Sequence, residues 1–285
     1  MTDRFDRQVR FFGQPGQNKL ASCSVAIVGV GGLGSHVVQQ LALLGVRRFL
    51  LIDPGELKAS SLNRYVGARY DDPIPGTAKV DIGERLIKSI DPNASIEKVK
   101  DSLMSRGAFA KLRSADYVFG CVDNEGARLV LTEFCAAYTK PYFDLGTGIE
   151  EQGTVYGGQV RVVLEGRACL VCHEELDLKE ATRDLTDPST RRNREAIYGV
   201  GQDVLGGIGP SVVSINGVIA SLAVTEFLVE RTGIRTPAAV VRYHAHKGSS
   251  TRSFTYKMPS PPAPDCYYCT VLKGKGDAAN IERYI

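Results

Sequence analysis

The sequence predicts an α/β protein built on a doubly wound, Rossmann-like, mostly parallel sheet with an antiparallel C-terminal extension. Three observations carry this. A short apolar run at 25–30 ends in a glycine cluster, GVGGLGS at 29–35, and leads into a nearly continuous helix-like apolar pattern at 33–44. Strand-like runs and helical patterns then alternate as far as Leu145, which is the order of β-α-β units. Beyond Gly146 the pattern shortens to a two-residue alternation, better suited to antiparallel strands.

The first residues, MTDRFDRQVRFFGQPG, mix charge with apolar side chains and lack the continuous apolar stretch of a secretory signal. Strand 25–30, the glycine turn, helix 33–44 and strand 49–52 fit the span of about thirty residues that one βαβ unit needs. A helix at 79–90, a short strand at 96–99, a strand at 117–122, a helix at 127–138 and a strand at 142–145 continue the series. Downstream, 153–164, 240–246 and 252–256 alternate as antiparallel strands. The charge-mixed stretch 179–195 reads as a surface loop or crossover, and 211–230, opening after Gly209 and Pro210, as the longest helix. PSPPAP at 259–264 reads as a stiff connector. With no internal repeat and no long break, residues 1–285 read as one domain, its nucleotide-binding half at about 1–150.

Composition bounds the partners. A hydrophobic fraction of 43% and a charged fraction of 24% are those of a globular protein rather than a disordered chain. The net charge of +3 is too slight for an electrostatic nucleic-acid footprint, so no nucleic-acid partner is expected. No segment carries the roughly 18 uninterrupted apolar residues of a spanning helix, so no membrane partner is expected and a cytoplasmic location is. Seven cysteines are an odd number, and four of them form two CxxC pairs, which favours a metal site over a disulfide framework.

The glycine cluster contains GxGxxG at Gly29, Gly31 and Gly34, with Gly32 between them, and Asp53 follows Gly34 by nineteen residues. Glycines allow a tight turn and close approach of the backbone to phosphate. The helix N-terminus favours the anion, and an acid ending the second strand can bind ribose hydroxyls. A nucleotide site follows, and the same fingerprint would suit NAD. Arg64, Lys79 in GTAKV and Asp123 in CVDN shift the balance to ATP: two cations can offset a triphosphate, and a carboxylate beyond the fourth strand can hold the Mg²⁺ that bridges its oxygens.

Taken in order, RFDRQ (4–8), GVGGLGS, Asp53, LNR (62–64), GTAKV (76–80) and CVDN (121–124) resemble the ubiquitin-activating superfamily, which includes the MoeB- and ThiF-type adenylyltransferases. The resemblance spans about residues 4–269. It implies that Asp53 binds the ATP ribose, that Asn63, Arg64 and Lys79 bind the phosphates, and that Asp123 binds magnesium. It further implies that Arg7 reaches into the partner protomer's site, which makes the protein a homodimer. Three positions depart from the family pattern. Gly55 stands where a second acid is common, Ser61 where an asparagine is, and Tyr65 where a glutamine is.

Cys169 and Cys172 (CLVC) and Cys266 and Cys269 (CYYC) supply four thiolates, the set for a closed, structural tetrahedral Zn²⁺ that would staple the C-terminal tail to the body. Many members of the superfamily have such a site. His173 is an alternative ligand; His244 and His246, two apart on one strand, read as hydrogen-bonded structural residues, and Cys23, Cys121 and Cys135 as small core residues. The superfamily members that form a thioester place its cysteine ahead of the helix that here begins near Pro210. No cysteine lies between His173 and Asp265, and 201–209 reads GQDVLGGIG.

The expected activity is therefore ATP-dependent adenylation of a carboxylate, giving acyl-AMP and pyrophosphate with no thioester of the enzyme's own in the usual place. The expected substrate is the C-terminal glycine of a small ubiquitin-like or sulfur-carrier protein, with a conjugating enzyme or sulfur donor taking the acyl group. Rival readings are a peptide or modified-tRNA carboxylate, for which Arg191, Arg192 and Arg194 would form a contact surface, a non-catalytic zinc-stapled adaptor, and an NAD-linked dehydrogenase.

Overall fold

The structure, a computed structural model, describes residues 4–149, 154–186, 210–248 and 252–285. One eight-stranded sheet organises them, in the order β3-β2-β1-β4-β5-β6-β7-β8. Its parallel part comprises β1 (Ser24–Val28), β2 (Arg48–Ile52), β3 (Ser95–Val99), β4 (Tyr117–Gly120) and β5 (Tyr142–Ile149). The antiparallel part adds β6 (Tyr156–Val163), β7 (Val240–His244) and β8 (Phe254–Lys257). The change of direction falls at β5, which runs past the expected Leu145 to Ile149 because Gly146, Thr147 and Gly148 pair with β6.

Strand alternation sends side chains into two cores. Val25 and Ile27 of β1, with Leu51, Phe119 and Phe143, pack beneath α2 (Gly32–Leu44) and the long α7 (Val213–Thr232). Phe227 of α7 meets Tyr117, Phe119 and Phe143 with ring centroids 5.0–6.0 Å apart, each buried ring contributing about 2–3 kcal/mol. Ala26 and Val28 face the other way, onto α4 (Arg106–Leu112) and α5 (Glu125–Ala137). Helix α3 (Lys79–Ile90) lies beside α2. Among the described residues α7 is the one helix long and apolar enough to cross a membrane, and its Ile219, Ala223 and Phe227 are buried in this core.

Some expectations are corrected. The stretch 179–195 is not a loop throughout: α6 (Leu178–Asp184) opens it, because Asp177 caps the helix by accepting from the Lys179 and Glu180 amides at 2.9 and 3.0 Å. Residues 187–195, with Arg191, Arg192 and Arg194, lie outside the described residues, as does 201–209. Strand β7 ends at His244 rather than 246; residues Ala245–Lys247 form a 3-10 turn, so His244 and His246 do not share a strand face. The N-terminal stretch, which had no element assigned, forms α1 (Asp6–Ser22), kinked where Gly13 takes a φ of 75° ahead of Pro15.

Candidate nucleotide site and cysteine cluster

Sheet register sets the site. Val28 stands level with Ile52 and Gly120, and Ile52 with Val99, so the carboxyl ends of four parallel strands finish in one row. The next residues are then neighbours: the Gly29 amide donates to Ile52, that of Cys121 to Val28 and that of Asp53 to Val99, at 2.8–3.2 Å. A crevice beyond the carboxyl ends, at the point where the strand order reverses, is where open α/β sheets bind ligands.

The glycines differ in what requires them. Gly29 has a φ of 88°, and a Cβ there would lie 2.5 Å from the Cys121 carbonyl oxygen. At Gly34 a Cβ would lie 2.0 Å from the Gly29 carbonyl oxygen, so helix and turn touch backbone to backbone. A Cβ at Gly31, by contrast, would meet nothing within 4 Å. No internal packing keeps residue 31 small; the side it opens on is the one a phosphate would approach. Helix α2 begins there with no side-chain cap and no acid in its first turn, so its leading N–H groups face that side with their partial positive charge.

Asp53 is buried and uses both oxygens on the loop. Oδ2 accepts from the Val30 amide at 2.8 Å, and Oδ1 accepts from the Gly55 amide at 2.7 Å. Lys79, the first residue of α3, brings Nζ to 3.6 Å from Oδ1. The glycine at 55 leaves this approach open, since a Cβ there would lie 3.0 Å from both Asp53 Oδ1 and Lys79 Nζ. Arg64 lies over the loop, its Cγ 3.1 Å from where a Gly32 Cβ would be, and it bonds the Ser60 carbonyl and Asn63 Oδ1. Asn63 is exposed beside it. Gly29, Gly31, Gly32, Gly34, Asp53, Arg64 and Lys79 therefore converge.

Asp123 follows β4 at the same end of the sheet and is exposed; its carboxylate accepts from the Asn124 side-chain amide at 3.4 Å. A lightly bonded carboxylate of this kind suits a hard cation that keeps waters and phosphate oxygens as its other ligands. Arg7 is not brought to this cluster. Gln8, its neighbour on α1, donates to the Leu43 carbonyl at 3.1 Å, at the far end of α2. The 13 residues of α2 put that end roughly 20 Å from the glycine turn. Arg7 is exposed, and its side chain makes no hydrogen bond or ion pair among the described residues.

Tyr65, a departure from the family pattern, is a further residue of this loop. Its ring is buried against Leu57 and Ile82, and its hydroxyl, with one proton to give, donates to the Val30 carbonyl and shares that proton with the Lys79 carbonyl 3.0 Å away. Burial, helped by the charge of Asp53, pushes the phenol pKa well up, so it remains a donor. Burial likewise raises the Cys121 thiol, which backs the loop and has no nucleophilic character there. A buried ion cluster, which no sequence motif announces, is centred on Asp144. Asp144 accepts from the Tyr142 hydroxyl at 2.9 Å and pairs with Arg161, and Arg128 stands 3.4 Å from it while reaching the Val122 carbonyl at 3.3 Å. A groove lined by Arg128, Gly146, Thr147, Gly158, Gln159 and Arg242 opens beside it.

Cys169, Cys172, Cys266 and Cys269 form a single cluster, all four Sγ atoms within 4.8 Å of one another. Neighbouring sulfurs are 3.7–3.8 Å apart. That is too far for disulfides and matches the spacing of about 3.8 Å that tetrahedral Zn–S bonds near 2.3 Å require. The set can hold Zn²⁺. Cys23 and Cys135 are buried in the core, as expected.

The ThiF family profile matches residues 5–268. The vegetative HesA protein of Trichormus variabilis is 32% identical over 141 residues, covering 49% of this chain and 52% of that protein. The adenylyltransferase and sulfurtransferase MOCS3 of Drosophila yakuba is 33% identical over 157 residues, covering 54% of this chain and 34% of that protein. The SAMP-activating enzyme E1 of Haloferax volcanii is 30% identical over 135 residues, covering 47% of this chain and 49% of that protein. The chain thus matches about half the length of the HesA relatives. Among solved structures, E. coli MccB with ATP superposes with a TM-score of 0.69 at 18% identity, over 94% of this chain and 75% of that one. At that identity the likeness is one of fold.

Proposed function

The chain belongs to the ThiF family, and we propose that it adenylates a carboxylate with Mg·ATP. The observation that carries this is the single row of strand ends that sets the glycine turn, Asp53, Lys79 and Arg64 around an open backbone face. The carboxylate oxygen attacks the α-phosphorus, the bond from that phosphorus to the bridging oxygen breaks, and pyrophosphate leaves with the electron pair. No protein nucleophile is required, so the enzyme's task is alignment and charge offset. Asp53 holds the ribose, the α2 N-terminus and Gly31 the phosphates, and Lys79, Arg64 and Asn63 the charge that builds on the leaving oxygens. Asp123 is the residue that would hold magnesium, which supplies electrostatic stabilisation of the polyphosphate.

The substrate is the C-terminal glycine of a small ubiquitin-like or sulfur-carrier protein, its tail lying in the glycine-floored groove beside Arg128. The names of two relatives, a SAMP-activating enzyme and an adenylyltransferase–sulfurtransferase, support that class. The absence of cysteine between His173 and Asp265 supports release of the acyl-adenylate to a sulfur donor or a conjugating enzyme. Zinc in the four-cysteine site has a structural role. The enzyme works as a homodimer in which Arg7 serves the partner's site.

ATP–pyrophosphate exchange measured with a Gly-Gly-ending carrier tests this directly. Exchange should depend on the carrier and fall by at least about 100-fold in Lys79→Ala, the scale of losing one charge-stabilising group. Full exchange in that variant would refute the site. MccB complexes carry the peptide MccA, so exchange that responds to free peptides and not to the carrier would move the substrate to the peptide class.

A further inference from the structure

We propose that Tyr65 is a positioning residue that turns the Gly31 amide toward the nucleotide phosphates and fixes the backbone from which Lys79 reaches them. The inference rests on the nucleotide reading above and concerns a residue that the family pattern does not supply, since Tyr65 stands where a glutamine is common.

The peptide unit between Val30 and Gly31 is planar and trans, so its carbonyl and its N–H point in opposite directions. The Tyr65 hydroxyl bonds the Val30 carbonyl on the protein side. The Gly31 N–H is thereby turned away from Tyr65, and a Gly31 Cβ would meet nothing within 4 Å, so the loop is open around this residue. Asp53 grips the same residue through the Val30 amide at 2.8 Å. Val30 is thus clamped at both its N–H and its carbonyl, by two side chains from different segments, and this leaves the loop little freedom to rotate the following peptide inward.

The hydroxyl also lies 3.0 Å from the Lys79 carbonyl. The one hydroxyl proton is shared between the two carbonyl oxygens, so the phenol sits between the glycine turn and the first residue of α3, whose Nζ stands 3.6 Å from Asp53. The segment carrying Tyr65 is fastened again one residue on, where the Val66 amide donates to Ser35 Oγ at 3.1 Å, and Ser35 belongs to α2. Arg64 precedes Tyr65, so the same anchored stretch places a third phosphate-facing group. The phenol is this chain's own means of joining the parts.

The test is Tyr65→Phe, which keeps the ring against Leu57 and Ile82 and removes the hydroxyl. Binding of ATP and of adenosine to wild type and variant is measured by calorimetry, with thermal unfolding as a check on the fold. ATP affinity should fall about ten-fold while adenosine affinity changes less than two-fold, because the lost bond orients phosphate contacts and not the ribose or base sites. Equal ATP affinity in wild type and variant, or equal losses for ATP and adenosine, overturns the positioning role and leaves the nucleotide reading standing. Wild-type protein that binds no ATP overturns the nucleotide reading and this inference with it. Should Tyr65→Phe not fold, the Gly31 amide resonance of wild-type protein decides. A downfield shift on adding ATP but not adenosine supports the role, and no response to ATP overturns it.

Discussion

Gly31 and Gly34 are chemically the same residue and three positions apart, yet the structure assigns them different reasons for being glycine. At Gly34 the reason is internal, because an added Cβ would sit 2.0 Å from the Gly29 carbonyl oxygen, and neither backbone can yield without opening the turn. Gly34→Ala should therefore lower stability by about 3 kcal/mol, at the upper end of overpacking effects. At Gly31 the reason is external, since its φ of −93° suits any residue and the space around it is open. Gly31→Ala should shift Tm by no more than about 3 °C while weakening ATP binding by ten-fold or more. Thermal unfolding and calorimetry on the two variants separate these effects, and a Gly31→Ala protein that unfolds early but binds ATP normally would reverse the assignment.

At the scale of elements, what the sequence makes legible depends on how locally an element is stabilised. Strands β1 and β2 and helices α2 and α5 were readable because their apolar patterns are dictated by burial on both faces of the sheet. Helix α6 was hidden by its mixed charge, although the capping Asp177 was in view. Tyr65 and the Asp144–Arg161 pair were not readable, because Tyr65 meets backbone carbonyls, which no side-chain pattern announces, and Asp144 faces Arg161 only through the register of β5 on β6. The cysteine pairs lie at the opposite extreme: spacing alone suggested that they meet, and they do. They join the segment after β6 to the short helix α8 (Tyr267–Thr270), from which Leu272 and Ile281 continue into the core. Zinc here should measure close to one per chain by elemental analysis. Its removal, or Cys266→Ser, should lower Tm by roughly 5–10 °C, about 3 kcal/mol for a chain of this size. A metal-free protein of unchanged Tm would show that the tail is held by packing alone.

For the whole molecule, the separation of Arg7 from its own glycine turn is the feature with the largest consequence. The 13 residues of α2 lie between them, roughly 20 Å of rigid helix, while an arginine side chain extends about 7 Å, on the order of two residues of extended backbone. Arg7 can contact a nucleotide only if a second chain presents its site to this end of the molecule. The same end exposes apolar surface: Phe11 is 67% and Leu43 is 49% exposed, and the Leu43 carbonyl is held by Gln8 of α1. A two-fold dimer that packs this end, with Phe11 and Leu43, against the glycine-turn end of the other protomer would carry each Arg7 to that protomer's site, and an isologous interface makes the exchange reciprocal. Arg7→Ala and Asp123→Ala should each be inactive alone in pyrophosphate exchange. Coexpressed, they pair at random, half of the dimers are mixed, and each mixed dimer contains one site with both residues intact. Activity should then recover to about a quarter of wild type per site. Recovery confined to coexpressed protein, and lost when Phe11→Glu keeps the chains monomeric, would tie the rescue to this interface; inactive mixed dimers would return Arg7 to a purely surface role.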